Sequence, residues 1–153
     1  MPEVSKNILW TVEYGFKDVE SCDVVVIPCL DFRFRWQTAQ FVRKRLGFNT
    51  FDLTGLPGAS NGINKKSETA MSCFSIPCDL HNVKTVVVVH HQDCGAYGGS
   101  EMFENSKEEQ MFHEKELRQS REEILTQYPD REVILIYARL NKSKSKIQFV
   151  LVS

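Results

Sequence analysis

The chain has 153 residues, 42% hydrophobic and 25% charged, a composition that suits one domain able to bury a core and excludes a largely disordered polymer. A formal net charge of −1 excludes a global field that would favour nucleic acid or an anionic membrane. There is no apolar run of about 18 residues to span a bilayer.

The segment from Ser5 to Phe16 places Ile8, Leu9, Val12 and Phe16 at helical spacing, with Ser5 as its cap. "CDVVVIPCLDF" then reads as a buried strand beginning near Asp23. Trp36 to Leu46 follows as a helix with Phe41, Val42 and Leu46 inward, and Gly47 is placed to stop it. "FNTFDLTG" is a further strand, leading into the glycine-bearing loop "TGLPGASNGINKKS". Between Ser67 and about Leu80, Ala70, Met71 and Phe74 suggest a helix while Pro77 limits it.

"VKTVVVVH" is a strand by its β-branched run. Ser106 to Tyr128 is a long polar helix ending before Pro129, and its thin apolar stripe is Met111, Leu117, Ile124 and Leu125. Such a helix is largely exposed or laid across a partner. The last strands, "EVILIYARL" and "KIQFVLV", flank a turn with Lys142, Lys144 and Lys146, a solvated hairpin tip rather than a nucleic-acid site. The alternation predicts an α/β fold over residues 1–153: one domain with a central, mainly parallel sheet flanked by helices and a C-terminal hairpin strand. In such sheets chemistry collects at the carboxyl ends of the strands. Cys29 and His91 both fall where an apolar strand gives out.

The chain has five cysteines, Cys22, Cys29, Cys73, Cys78 and Cys94. Their odd number, and an N-terminus "MPEVSKNILW" without the pattern of a secretion signal, point to a reducing compartment, the cytoplasm. Cys73 and Cys78 read as packing residues. Cys29, Asp31 and Arg33 alternate in "CLDFR", and in an extended segment they would share one face. In "HHQDC", His91 and Cys94 lie three apart on a turn that can aim both at one point. Two thiolates and an imidazole suit zinc and leave one tetrahedral position open. Asp31 can fill that position or pair with Arg33, and the two states exclude each other. If Arg33 holds it, water takes the open place and zinc lowers its pKa towards ~7.

"CLDFR" followed by "VVVVHHQDCGA" resembles the β-class carbonic anhydrases, whose pattern is C-x-D-x-R and then H-x-x-C-G. The resemblance implies zinc held by Cys29, His91 and Cys94, an Asp31–Arg33 dyad and a homodimer or higher homo-oligomer. It also implies a zinc lyase (a carbonate dehydratase) that hydrates carbon dioxide to bicarbonate by zinc-bound hydroxide. His91 rather than His90 is the ligand, because it stands three residues before Cys94; His90 points to the other face as a core group. Asp93 orders the loop. "GAYGG" lacks the spacing of a phosphate cradle and its following Lys-Ser/Thr pair. Phe32 and Phe34 are candidates to line the carbon dioxide pocket. The chain departs from the family in having "LTGLPGAS" where typical members carry Arg-Asn-Ala-Gly. Two rival readings keep the metal: a different small electrophile (carbon disulfide or carbonyl sulfide), or a non-catalytic relative in which Asp31 closes the site. A nucleotide-binding doubly wound domain would leave Cys29, His91 and Cys94 unexplained.

Overall fold

A computed structural model of the chain describes residues 7–14 and 19–153. Among them, five strands form one sheet in the order β2-β1-β3-β4-β5. The strands are β1 (Val24–Pro28), β2 (Phe51–Leu53), β3 (Thr85–His91), β4 (Glu132–Leu140) and β5 (Ile147–Val152). β1 pairs in parallel with β2 and β3, β3 in parallel with β4, and β5 runs antiparallel to β4. The parallel sheet with its closing hairpin strand is the predicted architecture.

The helices are α1 (Phe32–Lys44), α2 (Ser60–Asn64), α3 (Glu68–Leu80) and α4 (Ser106–Gln127). Side-chain alternation along β1 and β3 supplies both faces of the sheet. Val24, Val26, Val87 and Val89 pack with Phe34 and Val42 of α1 on one side. Val25, Ile27, Val86 and Val88 pack with Ile63, Phe74, Leu117 and Ile124 of α2–α4 on the other. This is why an unbroken valine run is stable here: each side chain loses all contact with water, which contributes about 1.5–3 kcal/mol apiece.

Three expectations are corrected. Ile8, Leu9 and Val12 do not lie in a helix; residues 8–14 are irregular and these three side chains are exposed, so their spacing has no face to bury. Ser5 and Phe16 lie outside the described residues. The helix expected from Trp36 begins earlier, at Phe32, because Asp31 caps it by accepting the Arg33 N–H at 2.9 Å. In α4 Met111 faces solvent, and the buried stripe instead runs through Glu109, His113, Leu117, Ser120 and Ile124. That stripe escaped notice because three of its five residues are polar. Pro77 does lie within α3, near its end, and Gly47, at φ +80°, follows α1 in the left-handed conformation that favours glycine.

Candidate metal centre

The chain path turns back between β1 and β3: β2 lies on one side of β1, and β3 and β4 on the other. The carboxyl ends of β1 and β3 are neighbours, with Pro28 opposite Val89. A crevice at this reversal of strand order is where open α/β sheets place their ligands. Cys29 leaves β1 there, and His91 is the last residue of β3.

Parity along β3 aims the two histidines apart. His91 shares the face of Val87 and Val89 and stacks on Phe34 of α1, ring centroids 4.3 Å apart. His90 faces the other helical layer, where its Nε2 accepts from Ser60 N–H at 3.3 Å and its Nδ1 lies 2.8 Å from His113 Nδ1. Burial, then the neighbouring His113, holds His90 well below the usual histidine range, so it stays neutral.

Cys29, His91 and Cys94 are all buried, with one ligand atom from each within 4.8 Å of the others. The two sulfurs are 3.9 Å apart. That is close to the ~3.8 Å edge expected of two sulfurs each ~2.3 Å from one tetrahedral centre. His91 Nδ1–H donates to the Gln92 carbonyl at 2.7 Å, which leaves the Nε2 lone pair free. That Nε2 is buried and has no hydrogen-bond partner. Two thiols and an orphaned imidazole nitrogen thus fit a zinc-type cation. The S–H···S contact with Cys94 pulls the Cys29 thiol down to about 4, with His91 and the backbone amides of Asp31 and Gly58 acting in the same direction against burial. The same contact, with burial, pushes Cys94 up. The contact thus favours the ionised form at Cys29 over Cys94.

Asp31 does not join this three-donor cluster. Its carboxylate is gripped by Arg33, whose Nη2 donates to Oδ2 at 2.6 Å and Nε to Oδ1 at 3.0 Å. These bonds hold Asp31 below the usual carboxylate range. Asp31 Oδ2 is 3.8 Å from His91 Nε2. The two motif residues do not share the face of an extended strand, as the alternation suggested; the strand ends at Pro28, and Asp31 and Arg33 meet around the first turn of α1.

Arg33 has a second anchor. Its Nη1 donates to Asp93 Oδ2 at 3.1 Å and its Nη2 to the Asp93 carbonyl at 3.0 Å. Asp93 orders the loop as expected, Oδ1 accepting from Ser100 N–H at 3.0 Å. Glu109, buried on α4, completes the support: it accepts from Asp93 N–H at 2.6 Å and from Ser100 Oγ at 2.9 and 3.1 Å. Sequence reasoning missed Glu109, since nothing in a run of helix-forming charges distinguishes the one that turns inward.

The "LTGLPGAS" loop runs beside the centre, as its glycines suggested. Leu30 N–H donates to Leu56 O, and Leu56 N–H to Pro28 O, both at 3.1 Å. Gly58 adopts φ +66°, and a Cβ there would lie 2.8 Å from the Tyr97 ring. A mouth lined by Leu30, Phe32, Pro57 and Ala96, with Arg33 at its rim, opens over Cys29 and Asp31. Phe34 lies beneath His91 and does not line this mouth.

A family model described as "Putative carbonic anhydrase" matches residues 19–150. The chain belongs to that carbonic anhydrase family. An uncharacterized protein of Rickettsia bellii is 31% identical over 140 residues, covering 86% of this chain and 80% of its own. Another from Rickettsia conorii is 32% identical over 126 residues, covering 76% and 67%. In fold, this carbonic anhydrase family member is similar to the β-carbonic anhydrase CafA of Aspergillus fumigatus, with TM-score 0.59, 13% identity and coverage of 86% of this chain and 76% of that one. It is likewise similar to β-carbonic anhydrase isoform I of Trichomonas vaginalis, with TM-score 0.56, 9% identity and coverage of 92% and 87%. No described helix is long and apolar enough to cross a membrane.

Proposed function

We propose that the chain is a zinc-dependent lyase that interconverts carbon dioxide and bicarbonate, with Cys29, His91 and Cys94 as the metal ligands. The observation that carries this reading is the buried, unpartnered Nε2 of His91 beside two sulfurs at metal-ligand spacing. Bound zinc supplies Lewis acidity, taking the pKa of a coordinated water towards ~7.

The protein's own residues supply orientation. Arg33 keeps Asp31 ionised and fixed, so its carboxylate would accept a hydrogen bond from a water at the metal and orient it towards the mouth. The grip also keeps Asp31 from entering the metal's coordination sphere, which favours an open site over a closed, non-catalytic one. Leu30, Phe32, Pro57 and Ala96 offer an apolar surface suited to a small uncharged substrate.

Exposed Leu30 and Phe32 at this mouth, with exposed Trp36 one turn further along α1, support a homodimer or higher homo-oligomer in which a second copy covers them. The two-faced core spanning Val24 to Val152 supports a single domain.

Stopped-flow hydration of carbon dioxide by the zinc-loaded chain tests the activity. A rate above buffer across about pH 7–9 is expected, and its absence overturns the reading. Carbon disulfide and carbonyl sulfide, assayed in parallel, separate a changed substrate from a missing activity.

A further inference from the structure

At the other end of the parallel strands a second group of donors comes together. Cys22, Asp52 and His81 bring a thiol, a carboxylate and an imidazole to within 4.8 Å of one another, ligand atom to ligand atom. Cys22 lies just before β1, Asp52 sits in β2 opposite Val25, and His81 is the C-cap of α3. From Cys22 to Cys29 the chain is largely extended and covers roughly 20 Å. One ion cannot serve both groups.

The cluster is built from fixed backbone. Cys22 N–H donates to His81 O at 3.1 Å, which pins the lead-in of β1 to the end of α3. His81 Nδ1 lies 2.6 Å from Asp52 Oδ2, which pins the same helix end to edge strand β2. The sulfur's own contact is a long one, to the Val24 carbonyl at 3.7 Å. Cys22 and Asp52 are half-buried, and His81 is open to solvent on one side.

We propose that Cys22, Asp52 and His81 form a second metal site, one that takes a divalent cation of borderline softness such as zinc or cobalt(II). A sulfur, a nitrogen and an oxygen donor suit that class, whereas magnesium and calcium require oxygen shells. Thiolate and carboxylate together neutralise the dication. Ligands on one tetrahedral ion lie ~3.3–3.8 Å apart, so binding opens the His81–Asp52 contact by about an ångström, which a partly exposed pair accommodates. Without the ion, burial and the nearby Asp52 carboxylate push the Cys22 thiol up, so it is protonated and not a reactive nucleophile. Binding releases that proton to solvent as the metal–sulfur bond forms. The occupied site clamps β1, β2 and α3 together and serves structure rather than the reaction at Cys29.

Cobalt(II) titration of the full-length, chelator-stripped chain, followed by absorption, tests the proposal. Two equivalents per chain are expected, with distinct thiolate-to-cobalt bands. H81A and C22S each reduce the count to one and leave the bands of the Cys29 centre in place. His81 is open to solvent on one side and H81A retains the backbone bond from Cys22 N–H to residue 81 O, so that variant keeps the fold even if C22S does not. The converse variant, with Cys29→Ser and Cys94→Ser together, keeps one equivalent with a single-thiolate spectrum. That arm separates failure of this proposal from failure of the catalytic reading. A wild-type count of one that H81A leaves unchanged overturns the second site, as does a count of two that H81A fails to lower.

Discussion

The sulfurs of Cys29 and Cys94 stand 3.9 Å apart across 65 residues of sequence. Their meeting follows from topology: the strands that carry the two motifs are hydrogen-bonded neighbours whose ends coincide at the point where strand order reverses. Replacing Cys29 by Ser substitutes a poor zinc ligand for a good one without changing volume much. Metal affinity at this centre is expected to fall by more than about 100-fold, beyond the loss typical of an outer-shell change. Competition with a chromophoric chelator measures it, and an unchanged affinity would contradict the assignment of Cys29.

Arg33 grips the Asp31 carboxylate, through which the proposed mechanism has it act on the centre. Arg33→Ala frees the carboxylate to swing towards the metal, so activity drops about 10–100-fold while the metal stays bound. Arg33→Lys does not restore it, because an ammonium cannot reproduce the two-atom grip and the tie to Asp93 together. Metal content and hydration rate measured on the same preparation separate the two effects.

Glu109 is buried beneath the loop that follows β3 and accepts from Asp93 N–H and Ser100 Oγ. Glu109→Ala leaves both part-buried donors without their protein partner. A loss of about 2–4 kcal/mol is expected in urea unfolding, together with weaker metal binding as the loop loosens.

Gly58→Ala places a methyl 2.8 Å from the Tyr97 ring, in a residue at φ +66°. Strain of about 1–3 kcal/mol follows. Because Gly58 N–H also favours the Cys29 thiolate, metal affinity falls with stability. Thermal unfolding with and without zinc reads both quantities.

His113 gives the fold an acid sensitivity. Burial first, then the nearby His91, lowers it from 6.5 to about 4. The unfolded chain therefore takes up a proton near pH 6.5 that the folded chain refuses. Stability is greatest above that value and is lost as pH falls towards 4. At pH 5 the loss from this group is about 2 kcal/mol relative to pH 7. His113→Gln, which cannot titrate, is expected to remove that share of the dependence and leave the share contributed by buried His90, when urea unfolding is run with chelator present at both pH values.

Where the sequence carried regular patterns, the structure follows them. The valine runs before Pro28 and His90 announced buried parallel strands, and His91 and Cys94 of the H-x-x-C spacing meet in one cluster with Cys29. Two physical effects defeated the same reasoning elsewhere. Asp31 is both a helix cap and an ion-pair partner, so the "CLDFR" pattern concealed a helix start inside an apparent strand. Cys22, Asp52 and His81 stand in three separate elements with no motif spacing, so only the paired register of β1 and β2 and the end of α3 reveal their meeting. The exposed segment around Leu9 and Trp10 shows a further limit: periodicity describes a face, and the described residues supply no surface for that face to cover.

Zinc K-edge X-ray absorption on the H81A variant, which isolates the principal centre, tests the central claim most directly. The account predicts one zinc per chain with two sulfur scatterers at ~2.3 Å and an imidazole nitrogen at ~2.0 Å. A shell of nitrogen and oxygen alone, or a reconstituted chain that holds no zinc, would contradict it.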